Sequence, residues 1–135
     1  MKALTSTLGQ LHVFRLEPGT DLLEGLQAAV SEAGIHQGVI LAGIGALTSY
    51  HFHVVDEPQW PPANLFARGE GGFDIVSLQG YVIDGRAHVH IALCDVQKVM
   101  GGHLERGCEV FTFALVTVAE LEGAELRGLD RSRRQ

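Results

Sequence analysis

An α+β fold, with a largely antiparallel sheet and one main helix, is predicted by three features of this 135-residue sequence. Apolar residues recur at helical spacing in one segment, through Leu22, Leu23, Leu26, Ala29, Val30 and Ala33. The other apolar stretches are short runs or strict alternations, the pattern of strands half-buried in a sheet. Glycine-rich and Asp-Gly signals separate those runs at hairpin spacing, which favours antiparallel neighbours.

Each element has its own justification. Leu11 to Leu16 reads as a first strand, and Pro18-Gly19-Thr20 as a turn. Thr20 or Asp21 can cap the helix that follows; with Asp21 as the cap, Glu24 stands where a capping box is completed, and Gly34 is a natural stop. Val39-Ile40-Leu41-Ala42 reads as a buried strand entering a glycine bend at Gly43-Ile44-Gly45. Those glycines lack the third member of a dinucleotide fingerprint. From Thr48 to Val55, Tyr50, Phe52 and Val54 alternate with Ser49, His51 and His53. Asp56 to Gly72 holds three prolines, the only tryptophan and three glycines, and is expected to be a long surface loop over a pocket. Phe73 to Leu78 and Tyr81 to Ile83 are strand, Asp84-Gly85 is a hairpin turn, and Ala87 to Cys94 is the returning strand. Asp95 to Gly107 is expected to be a loop, Glu109 to Glu120 a long strand, and Glu125 to Leu129 a last edge strand.

The length and the 46% hydrophobic content fit one domain with a packed core. That domain is expected over residues 1–126, with 127–135 a basic, flexible C-terminal tail. There is no signal-like N-terminal segment and no apolar run of membrane-spanning length, so a cytoplasmic protein with Cys94 and Cys108 reduced is expected. Net charge is −6, with six basic and fifteen acidic residues in the body and four arginines in the tail. An acidic body is a poor partner for phosphate backbones, so the isolated chain is not expected to bind DNA well.

The chemistry is concentrated in three histidines. His88-Val89-His90 places two imidazoles on one strand face, and Gly101-Gly102-His103 delivers a third after two glycines that permit close backbone approach. Three neutral imidazoles suit Zn²⁺ or another divalent transition ion, such as iron, nickel or cobalt, and leave a fourth position open. The same residues could instead be hydrogen-bonded histidines in a wet crevice. His51 and His53 form a second pair on one strand face and could line the same crevice; Arg86 could hold an anion; Cys94 shares the face of His90. Asp95 and Glu105, the nearest carboxylates in sequence, read as solvated loop residues, so no general base is assigned.

Several segments together resemble the PPC domain, the plant and prokaryote conserved domain. Gly72 to Gly80 (GFDIVSLQG) is similar to its Gly-x-Phe-Glu-Ile-Leu-Ser-Leu-x-Gly segment, and Gly43 to Leu47 to its Ile-Gly-Ala-Leu segment. His88 to Leu93 is similar to the prokaryotic His-x-His strand, and Gly101 to Leu104 followed by Gly107-Cys108 to the Gly-Gly-His loop. The resemblance implies a homotrimeric α+β domain, with a metal near the histidines in some prokaryotic members and an interaction surface near Phe73. Plant members bind A·T-rich DNA through separate AT-hook segments, which this chain lacks, and some prokaryotic ones carry a PD1-like DNA-binding label. The first functional reading is therefore a small trimeric three-histidine metal-binding domain of binding or regulatory role, with a small ligand at subunit boundaries. A metal-dependent enzyme acting on a small polar substrate and a DNA-associated regulator are the alternatives.

Overall fold

Asp21 sets the start of the helix. Its backbone is extended (φ −71°, ψ 128°), and its side chain accepts the Glu24 N–H at 3.0 Å. The reciprocal half of the expected capping box is replaced: Glu24 pairs instead with Arg106 at 2.9 Å, and the second Asp21 oxygen accepts the Gly107 N–H at 2.7 Å. Helix α1 (Leu22–Glu32) buries Leu22, Leu26 and Val30, one stripe at helical spacing, and the chain leaves it through Gly34 at φ +69°. Full burial of each such leucine contributes roughly 2 kcal/mol.

The computed structural model describes residues 1–132; Arg133 and Arg134 of the expected basic tail lie outside the described residues. The strands are β1 (Thr7–Leu16), β2 (Gln37–Val55), β3 (Asn64–Ile83), β4 (Arg86–Cys94), β5 (Val99–Leu104) and β6 (Val110–Glu122). They form one antiparallel sheet in the order β1-β6-β2-β3-β4-β5, and β5 also pairs with β2. Strands β2, β3, β4 and β5 thus close into a ring. Leu47, Leu78, Ile91, Leu93 and Leu104 belong to the core, together with the helix stripe and Val110, Val116 and Val118. The result is the expected α+β domain with one described helix. No described helix is long and apolar enough to cross a membrane.

Three expectations are corrected. Residues 64–72 are the first half of β3, paired with the end of β2, so the connecting loop spans only 56–63. Glycine there marks tight packing: a Cβ on Gly69 would lie 2.6 Å from the Tyr50 ring. The segment 95–107 is not all loop, because Val99 to Leu104 is strand β5. Residues 125–129 are irregular and then turn, not an edge strand.

Candidate metal centre

Strand β4 has two chemically different faces. Val89, Ile91 and Leu93 are buried, while His88 and His90 project from the other side. Directly across the ladder, His90 pairs with His103 of β5, and His103 pairs in turn with His53 of β2. Three imidazoles therefore stand in a row over three adjacent strands, with His88 one pleat along from His90. Ring centroids are 4.7 Å apart for His88–His103, 5.6 Å for His90–His103, 5.9 Å for His88–His90 and 4.3 Å for the stacked His53–His103 pair.

The Gly-Gly pair is what lets β5 occupy this position. A Cβ on Gly101 would stand 2.0 Å from the Ile91 carbonyl oxygen, and one on Gly102 2.5 Å from the His53 carbonyl oxygen. Neither glycine is needed for a left-handed turn; both are needed so that β5 fits between β4 and β2.

One ligand atom from each of His88, His90 and His103 lies within 4.8 Å of the other two. Two nitrogens bound to one ion at about 2.1 Å stand about 3.4 Å apart in a tetrahedral shell and never beyond about 4.2 Å. Small side-chain rotations close that difference, so these residues fit a divalent ion. The chemistry of the set agrees. Burial, followed by the neighbouring His53 and His88 imidazoles, pushes His103 down to about 4, against a smaller opposing pull from Glu105. Desolvation and the same two imidazoles also lower His90. Neutral rings ligate without first releasing a proton.

Asp130 was not singled out from sequence, yet its carboxylate accepts a hydrogen bond from His88 Nδ1 at 3.1 Å. That bond leaves Nε2 of His88 for an ion, the usual carboxylate–histidine arrangement around metals. The His88 bond, opposed in part by burial, holds the Asp130 carboxyl below its ordinary range. Arg86, expected as an anion holder, stands 4.0 Å from the same carboxylate. A cavity of about 810 Å³ opens beside His88 and His90, walled by Leu4, Tyr81, Leu121, Leu126 and Leu129.

The remaining candidates separate. His53 joins the cluster: its Nδ1 lies 2.6 Å from Glu105 Oε1, and His53, His103 and Glu105 form a second convergent group. Glu105 is thus a member of the site region and not a solvated loop residue. His51 is on the same strand but is turned to the Arg106 carbonyl at 2.6 Å. Cys94 is a half-buried free thiol in neither group. Phe73 meets Tyr50 edge-on at 5.1 Å, packed against the core. Asp95 accepts the backbone N–H groups of Gln97 and Lys98, a local turn.

Known proteins share this framework. A metal-containing protein from Archaeoglobus fulgidus is 30% identical, over 93% of this chain and 89% of that one, with a TM-score of 0.81. A plant- and prokaryote-conserved (PPC) protein from Pyrococcus horikoshii is 29% identical, over 93% of this chain and 87% of that one, with a TM-score of 0.76. The bifunctional protein GlmU of Synechococcus sp. (strain JA-3-3Ab) is 30% identical over 115 residues; these are 83% of this chain but only 18% of that relative's length. The chain belongs to the Plants and Prokaryotes Conserved (PCC) domain family, which matches residues 4–122.

Proposed function

We propose that this chain is a metal-binding PCC domain that holds one divalent transition ion, Zn²⁺ in the first instance, through His88, His90 and His103. The observation that carries the reading is the convergence of three ring nitrogens, two of them on imidazoles whose charged form burial disfavours, with His88 oriented by Asp130. The metal-containing relative from A. fulgidus supports it. A bound ion would supply a Lewis-acidic open position beside the cavity. His88 and His90 line that cavity, so a small ligand entering it comes beside two of the three imidazoles. We take residues 1–126 as the domain and 127–135 as a basic extension whose Asp130 reaches back to His88.

The assembly proposed is a homotrimer in the cytoplasm, with a binding or regulatory role. Leu11, Val13, Ile44 and Phe111 are each more than half exposed on three neighbouring strands, an apolar area suited to a second copy of the chain. Both cysteines are free thiols, in keeping with a reducing compartment.

Equilibrium dialysis against Zn²⁺, with metal analysis, tests the site: one equivalent per chain is expected, lost in His103→Ala. A chain that takes up no ion near neutral pH refutes it. The cavity lined by His88 and His90 also favours a second reading, a metal-dependent enzyme on a small polar substrate; metal-dependent turnover separates the two. Duplex binding should be weak, without sequence preference and abolished by salt, because repulsion from the acidic body outweighs the few phosphate contacts of the tail.

A further inference from the structure

The three-histidine reading leaves His53 and Glu105 unused, although they are among the most closely engaged polar side chains of the molecule. His53 lies opposite His103 in the β2–β5 ladder, and Glu105 follows His103 by two residues. The Glu105 N–H donates to the His51 carbonyl at 3.0 Å, which fixes the backbone that carries the carboxylate. Glu105 Oε1 stands 2.6 Å from His53 Nδ1, with the two side chains 28% and 17% exposed. Phe66, opposite His53 in the β2–β3 ladder, places its ring 5.2 Å from the imidazole on the other side. One ligand atom from each of His53, His103 and Glu105 falls within 4.8 Å of the others. The carboxylate accepts the Nδ1–H of the ring, and with that proton on Nε2 instead the same two atoms can meet one metal ion.

We propose that His53, His103 and Glu105 form a second divalent-cation subsite, which shares His103 with the three-histidine site. Its two nitrogens and one carboxylate oxygen are a harder donor set than three imidazoles. It therefore accepts Mn²⁺ and Fe²⁺ more readily than the all-nitrogen site does. Glu105 also contributes a negative charge that the other set lacks. His103, on the seam between β4 and β2, is the ligand common to both positions.

The test uses the full chain with His88→Ala and His90→Ala combined, which dismantles the three-histidine set and keeps the second set whole. Equilibrium dialysis against Mn²⁺ and Zn²⁺ should show one ion per chain retained. Adding Glu105→Gln should weaken that binding about ten-fold or more. Should the alanine pair fail to fold by circular dichroism, His88→Gln with His90→Gln replaces it. Loss of all binding in the double variant, or retained binding indifferent to Glu105→Gln, overturns the proposal. The two readings fail separately. Binding by the unaltered chain but none by the double variant removes only the second subsite. Undiminished affinity in the double variant removes only the three-histidine site.

Discussion

Gly101→Ala places one methyl group where β5 meets β4. The new carbon would lie 2.0 Å from the Ile91 carbonyl oxygen and 2.9 Å from its carbonyl carbon. A carbon in contact with a carbonyl oxygen needs roughly 3.3 Å, so the strands must part by about 1.3 Å. β5 has nowhere to go: on its other side Gly102 already sits against the His53 carbonyl. His103 moves with the strand, and a metal site tolerates displacements of only about 0.2 Å. Losing one of three ligands should weaken Zn²⁺ binding by at least about 100-fold, close to 3 kcal/mol. Overpacking should cost a further 1–3 kcal/mol or so of stability. Competition with a chromogenic chelator measures the first effect, and urea unfolding of the metal-free protein the second. Gly72→Ala is the control, since nothing lies within 4 Å of its added Cβ, and both quantities should hold within about 0.5 kcal/mol. A folded Gly101→Ala protein that binds Zn²⁺ within three-fold of the parent refutes the reasoning.

Asp130→Asn should weaken Zn²⁺ binding some 10- to 100-fold, and should change nothing further once His88 is alanine, because the carboxylate acts through that ring. An equal loss in both backgrounds would show that it acts elsewhere. The metal-free protein should lose stability as pH falls from about 6.5 to about 4. His103 titrates near 4 in the fold and near 6.5 in the unfolded chain, so the unfolded chain binds more protons throughout that window. Denaturant titrations across the range check the sign, and His103→Gln should flatten the slope. Phe111→Asp, which puts a charge on the exposed apolar strand face, should shift sedimentation toward that of a single chain; an unchanged coefficient would place the subunit contact elsewhere.

What could be read from sequence depended on how local the signal was. Helix α1 was legible because its cap, its period and its stop lie within fourteen residues, from Asp21 to Gly34. The His88/His90 face was legible for the same reason, since period-two alternation needs no partner strand. Strand β5 was hidden because Val99-Met100-Gly101-Gly102 carries a loop composition; its glycines answer to neighbouring backbones, not to a turn. The first half of β3 was hidden likewise. Glu105 and Asp130 join the site through contacts 52 and 42 residues away in sequence, and nothing in their own neighbourhoods announces them. His51 and His53 share one strand face, and only the fold separates them: one turns to the Arg106 carbonyl, the other to Glu105.

The short strand β5 is the closing piece of the β2–β3–β4–β5 ring and contacts β2 at only two registered positions, Phe52–Leu104 and His53–His103. A seam so lightly stitched is where the ring should open first, ahead of any global unfolding. An ion held by the proposed second set, His53, His103 and Glu105, would fasten β2 to β5 at that place, and its binding free energy would be added to the cost of opening. Metal occupancy would then be written in the amide exchange of residues 99–104, which should slow on loading while the buried amides of α1 keep their rate.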